Sequence, residues 1–354
     1  MSRWIVEELR EYDQNERHHA ASKARTDVRD ILVGAGYRQI PFTFAQDRNV
    51  GTLRKLWLHV KLRDEWGRAL GEPRWGDVVV FQYPMHYQTL LFGKVLADLR
   101  KRGILTVLVI HDVQSIRNAV VSANTKGALR ARVEEAHSLK QAGRIVVHNQ
   151  RMAELLQRDF DVPAARIVCL GLFDYVCDKN LEHLATTDAH GPVVIAGNLT
   201  PQKAGYVYKL PSDVRFRLYG PGYEGKTSIN VDYAGSFPPE LLPSKLAGSF
   251  GLVWDGPEAS SCTGTYGEYL RVNNPHKASL YLASGLPVVT WSKAAVGEFV
   301  QEHGVGIVVD SLNDLHDALA SVTPDAYEQM CSRARQLSRD LNAGHYLLHA
   351  METV

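Results

Sequence analysis

Asn273, Asn274, His276 and Lys277 crowd around Pro275, immediately ahead of an apolar run that ends at Gly285. Proline suits the first turn of a helix. The backbone N–H groups that follow it, with His276 and Lys277 beside them, would therefore meet an anion at the positive end of a helix dipole. Gly285 stops that helix and Pro287 opens a buried strand. Residues of these types in this order spell a nucleotide-diphosphate pocket. Two more corners carry compatible chemistry. Gly197 and Asn198 follow the run Pro192-VVIA; glycine allows close backbone approach, asparagine offers a donor and an acceptor, and Lys203 lies within reach. Tyr219 and Gly220 end the next run, and the tyrosine ring is expected to stack a base. With Lys277 and a helix dipole to neutralise the leaving charge, no metal is required.

These corners need a scaffold of strands and helices in alternation. Strand-length apolar runs recur at Asp77-VVVFQYP, Ile104-LTVLVIHD, Arg144-IVVHN and Arg166-IVCLG, with helical patterns near 89 to 102, 128 to 142 and 150 to 159 between them. After an irregular stretch the rhythm restarts at Pro192-VVIAGN, Val214-RFRLYG, Phe250-GLVWDG, Pro287-VVTW and Gly306-IVVD. The pattern predicts an α/β protein of two Rossmann-like, doubly wound domains facing a central cleft. The domains are expected at 1–172 (acceptor side) and 191–335 (nucleotide side), joined by a linker at 173–190. A last helix over 336–354 is expected to pack back on the first domain. Ligands bind outside the carboxyl ends of parallel strands, where the polar corners fall.

The chain has 354 residues, 45% of them hydrophobic and 22% charged, enough for two cores. No apolar run approaches the roughly 20 residues of a membrane span, and acidic residues come too early for a signal peptide, so a cytoplasmic location is expected. Residues 1–172 hold 27 Lys+Arg against 19 Asp+Glu, a net of +8, and the remainder 13 against 20, a net of −7. A basic first half, with Arg100, Lys101, Arg102, Arg130 and Arg132, suits an anionic acceptor or peripheral contact with the inner face of a membrane. No basic stripe interleaved with aromatics points to nucleic acid. Cys169, Cys177, Cys262 and Cys331 form no Cys-x-x-Cys pair and read as incidental thiols.

Dinucleotide oxidoreduction and P-loop phosphoryl transfer lack their glycine-rich phosphate loops. Asp159-Phe-Asp161 has the spacing of a metal-binding Asp-x-Asp but sits where a helix ends, and His18 and His19 fall in a polar leader. No metal or other cofactor is expected.

From about Phe250 to Asp310, through GEYLRVNNPHKASLYLASGLPVVTWSKAA, the chain resembles bacterial β-1,6-galactofuranosyltransferases of O-antigen and capsule synthesis. It is also similar to the streptococcal glucosyltransferases that extend N-acetylglucosamine on serine-rich adhesins. The likeness extends more loosely over most of the chain, including AGNLTPQKAGYVYKL and VIHDVQSIR. The resemblance implies a GT-B fold, a UDP-sugar donor held by the second domain, a glycan, glycolipid or glycoprotein acceptor held by the first, and no metal. It places Lys203, Tyr219 and Lys277 at UDP contacts.

Many retaining GT-B enzymes carry an E-x7-E pair; here those positions are Val272 and Leu280. Inversion fits better, and it needs a general base opposite the departing UDP. Asp112, at the end of the strongest strand of the first domain, is the preferred base. His111 competes, and His86 and His148 are secondary. The expected activity is transfer of galactofuranose or glucose, by a monomer or a homo-oligomer. A UDP-sugar 2-epimerase and a non-catalytic glycan-binding subunit are the alternatives.

Overall fold

The computed structural model describes residues 1–9, 20–44, 52–87, 91–119, 126–177 and 186–354. The chain forms two compact units. One comprises Met1–Asn15, Val28–Leu170 and Leu348–Val354, the other Glu16–Asp27 and Gly171–Leu347.

The first unit is built on six parallel strands: β1 (Arg3–Glu8), β2 (Arg38–Phe42), β3 (Val78–Tyr83), β4 (Leu105–Ile110), β5 (Arg144–Val147) and β6 (Ile167–Cys169). Their spatial order is β2-β1-β3-β4-β5-β6. Every residue of β3 is buried, as a central parallel strand covered on both faces requires. Each fully buried Val, Leu or Phe there contributes about 1.5–3 kcal/mol. Trp66, fully buried, stacks on Phe42 with ring centroids 3.5 Å apart and meets Phe81 and Phe92 edge-on at 6.1 and 6.0 Å. Register sets Tyr83 opposite Ile110, so β3 and β4 end side by side, and the His111 N–H donates to the Tyr83 carbonyl at 2.7 Å.

In the second unit a small pair, β7 (Thr186–Thr187) with β11 (Ala247–Gly248), accompanies a second six-stranded parallel sheet. That sheet contains β8 (Val193–Ala196), β9 (Phe216–Tyr219), β10 (Val231–Gly235), β12 (Gly251–Val253), β13 (Val288–Trp291) and β14 (Gly306–Val309), in the order β10-β9-β8-β12-β13-β14. The chain steps outward from β8 to β10, then returns to the other flank of β8. The order thus reverses between β8 and β12, and doubly wound sheets bind nucleotides at such a reversal. In the first unit the corresponding reversal lies between β1 and β3.

The helix His276–Ala283 covers β12 because Gly251 makes room for it. A Cβ on Gly251 would stand 2.1 Å from the Tyr281 ring. Tyr281 is fully buried, and its hydroxyl accepts the Ala196 N–H at 2.7 Å, which ties the helix to the last residue of β8. From behind, Ser338 Oγ donates to the Ala283 carbonyl at 2.6 Å. Ser338 belongs to the helix Pro324–Asn342, which begins with Pro324 in its first turn and Thr323 as its cap; Thr323 Oγ1 accepts the Ala326 N–H at 3.2 Å. Gly344, at φ 75°, separates it from a final helix, His345–Glu352. Among the described residues no helix is long and apolar enough to cross a membrane.

Candidate functional site

In the second unit the turns that follow β8 and β9 are built on glycine backbones. Gly197, directly after β8, has φ 139°, and a Cβ built there would meet nothing within 4 Å. Gly220, directly after β9, has φ 132°, and its Cβ would stand 1.9 Å from the Gly197 carbonyl oxygen. The two turns thus touch main chain to main chain, and a side chain on either would be strained or obstructed. Gly197 N–H donates to the Tyr219 carbonyl and Leu199 N–H to the Pro221 carbonyl, both at 2.9 Å. Asn198 is exposed; its Oδ1 closes the turn by accepting the Thr200 N–H at 3.0 Å.

Lys203 joins this corner to the end of β12. Its carbonyl accepts the Gly256 N–H at 3.1 Å, and Gly256 returns its own carbonyl to the Tyr206 N–H at 3.1 Å. The Lys203 ammonium lies 5.5 Å from the centre of the Tyr266 ring.

Pro275 caps the helix His276–Ala283 from the residue before its first turn, and its carbonyl accepts the Ala278 N–H at 2.9 Å. Lys277 folds back onto the strand end: Nζ donates to the Trp254 carbonyl and to Asp255 Oδ1, each at 2.9 Å. The side chains of this ion pair are only 14% and 9% exposed. Asn273 carries a buried Oδ1 with no hydrogen-bond partner.

Three of the anticipated ligand groups have other commitments. Tyr219 is only 2% exposed; its hydroxyl donates to the Lys245 carbonyl at 3.1 Å and accepts the Ala247 N–H at 3.2 Å, so its ring belongs to the core and offers no stacking face. Asn274 Nδ2 donates to the Gly171 carbonyl at 2.5 Å. His276 stacks on Tyr175 with centroids 4.9 Å apart. Asn274 and His276 thereby fasten Gly171, at the end of the range expected for the first domain, and Tyr175, inside the expected linker. Asp174, beside Tyr175, caps the final helix, accepting the Tyr346 and Leu347 N–H groups at 3.2 and 2.8 Å. Burial pushes its carboxyl up to about 7 against the pull of those bonds.

In the first unit His111 and Asp112 leave the end of β4. Asp112 Oδ2 pairs with Arg117, while Oδ1 is buried with no hydrogen-bond partner. His111 Nε2 lies 2.8 Å from Gln82 Oε1. Glu135 accepts the Gln114 and Ser115 N–H groups of the following helix, Gln114–Ala119, at 2.8 and 3.0 Å. Burial raises the Glu135 carboxyl above its ordinary range, and the Asp112 charge adds to the shift. His148 is buried with Nε2 3.0 Å from the Ile110 carbonyl. The His86 backbone, with that of Tyr87, donates to the Glu8 carboxylate at 2.8 Å across the β1/β3 reversal. Glu8 and Glu135 escaped the sequence reading because each holds backbone far away in the chain.

Asp159 and Asp161 do not form a chelate. Asp159 pairs with Arg158, whereas Asp161 ends its helix at φ 51° and binds Lys140 at 2.9 Å. Among the described residues no three His, Cys, Asp or Glu side chains group to hold a metal ion. The basic cluster of the first half is partly spent on structure: Arg102 donates to the Leu70 and Pro73 carbonyls at 2.7 and 2.6 Å, and Lys101 pairs with Asp98 at 3.6 Å. His18 and His19 lie outside the described residues, and the Arg130 side chain is not described.

Two family models match in tandem, one for the glucosyltransferase 3-like N-terminal domain over residues 3–172 and one for the C-terminal domain over residues 193–354. The chain is 31% identical over 284 residues to the β-1,6-galactofuranosyltransferase WbbI of Escherichia coli (strain K12), spanning 78% of this chain and 79% of that protein. The chain belongs to the glucosyltransferase 3-like family. Glucosyltransferase 3 of Streptococcus gordonii is 26% identical over 333 residues, 91% of this chain and 90% of its own. Like these relatives, this glucosyltransferase 3-like protein is a glycosyltransferase. Its fold is GT-B. Sucrose-phosphate synthase from Thermosynechococcus elongatus superposes with a TM-score of 0.61 at 14% identity, covering 99% of this chain and 97% of that one. The lipopolysaccharide glycosyltransferase WaaG gives 0.58 at 11% identity over the full length of both.

Proposed function

We propose that the chain transfers a hexose, galactofuranose or glucose, from a UDP-sugar to a hydroxyl of a cell-surface glycan, with inversion and without a metal. Two observations support this reading: Gly197 and Gly220 meet main chain to main chain beyond β8 and β9, and Lys277, in the first turn of the helix His276–Ala283, is held at the end of β12 on the other side of the β8/β12 reversal. Glycine turns that leave the backbone open to approach, a helix amino terminus and a fixed ammonium together suit a diphosphate. Asn198 and Lys203 follow Gly197 in the chain, and Asn273 comes shortly before the helix that carries Lys277. WbbI and glucosyltransferase 3, by their names, transfer galactofuranose and glucose, which supports a hexose donor here.

In the transfer, the bond from the sugar anomeric carbon to the diphosphate oxygen breaks and its electron pair leaves with UDP. The acceptor oxygen bonds to the same carbon, and its proton passes to a carboxylate. Lys277 and the helix dipole stabilise the developing charge on UDP. The base proposed here is Asp112, whose Oδ1 has no hydrogen-bond partner while Oδ2 is held by Arg117. Leu280 is a buried apolar residue at the position where the E-x7-E pattern has its second glutamate, and this favours inversion over retention.

Thermal unfolding with UDP tests the donor assignment. UDP at about 100 times its dissociation constant adds about 2.7 kcal/mol and raises Tm; an unmoved Tm at millimolar UDP would remove the site.

A further inference from the structure

A buried carboxylate is an odd neighbour for a site that receives a diphosphate. Asp255 is 6% exposed at the end of β12, where it repels any phosphate that approaches Lys277. Geometry accounts for its presence. An ammonium has three hydrogens, and in Lys277 the Trp254 carbonyl and Asp255 Oδ1 engage two of them, at 2.9 Å each. Both acceptors sit on backbone whose neighbours are buried and hydrogen-bonded. Trp254 is fully buried, with Nε1 donating to the Glu258 carbonyl at 2.9 Å, and Gly256 is stitched to Lys203 and Tyr206 by two bonds of 3.1 Å. The helix that carries Lys277 is pinned to β8 through Tyr281.

We propose that Asp255 is a positioning residue: with the Trp254 carbonyl it clamps the Lys277 ammonium so that the third hydrogen is left for a phosphate oxygen of a nucleoside diphosphate. The clamp settles the rotamers of a long side chain before the ligand arrives, so binding no longer bears that ordering cost. This inference rests on the reading of the corner as a diphosphate site.

The test is calorimetric titration of the full chain with UDP, comparing the unmodified protein with Asp255→Asn, Lys277→Met and the double variant. Asp255→Asn gives the corner one more net positive charge, yet it is expected to weaken UDP at least fivefold because Lys277 is released. In the Lys277→Met chain the same change is expected to cause no further weakening. Tighter or unchanged UDP binding by Asp255→Asn overturns the proposal, as does an equal loss with and without Lys277. Should Asp255→Asn fail to fold, Asp255→Glu keeps the charge but displaces the ammonium, and it must weaken UDP to the same degree. An unmodified protein that ignores UDP contradicts the diphosphate site itself; one that binds UDP but is indifferent to Asp255 contradicts the clamp alone.

Discussion

The Gly197 carbonyl oxygen lies so close to Gly220 that a methyl group on Gly220 would stand 1.9 Å from it, although the two residues belong to separate turns. Both are backbone contacts, so nothing can swing aside. Gly220→Ala therefore combines overpacking, about 1–3 kcal/mol, with a strained φ of 132°, about 1–3 kcal/mol more. Gly197→Ala meets open space and bears only the strain of φ 139°. Thermal unfolding should rank Gly220→Ala as clearly the less stable, and the reverse order would contradict the packing of this corner.

Lys277→Met should remove the proposed charge-assisted bond to UDP, worth about 1.5–3 kcal/mol, which is about 10- to 150-fold in affinity. It also leaves Asp255 buried without a partner, a penalty of about 3–5 kcal/mol in stability. Adding Asp255→Asn should recover much of the lost Tm without restoring UDP binding. Recovery of both would show that Lys277 acts only in folding.

Asp112→Asn should suppress turnover about 10²-fold or more while UDP affinity stays within about twofold. Steady-state rates alongside UDP titration check this. Joint loss of binding and turnover would assign Asp112 a folding role through Arg117.

Asp174 supplies a pH dependence with a definite sign. Its carboxyl titrates near 7 in the folded chain and near 3.8 when unfolded, so between those values the folded state holds a proton that the unfolded state has lost. Stability from this group is complete below about pH 4 and declines as pH rises towards 7. Asp174→Asn keeps an acceptor for the Leu347 N–H but cannot titrate. From pH 5 to pH 8, denaturation midpoints should shift in favour of the variant; a constant gap would show that the helix-capping bonds outweigh burial.

Runs of apolar residues made β3, β4, β5, β8, β12 and β13 readable, because central parallel strands are buried on both faces. β1 (RWIVEE) and β2 (RQIPF) went unread, since charges and Pro41 break their runs, and β10 (VDYAG) is an edge strand with Asp232 and Tyr233 exposed. The turns at Gly197 and Gly220 were legible because strand ends are punctuated by glycine. Where side chains point was not. The Tyr219 ring turns into the core, His276 turns to Tyr175 about a hundred residues away, and Lys277 meets an aspartate 22 residues earlier across the sheet. Such pairings arise only when distant segments pack.

The central claim is hexosyl transfer from a UDP-sugar with inversion, and product analysis with a panel of UDP-sugars, with and without glycan acceptors, tests it most directly. UDP should be released together with a new glycosidic bond whose anomeric configuration is opposite to that of the donor. A product with retained configuration, or an epimerised UDP-sugar formed without acceptor, would contradict it.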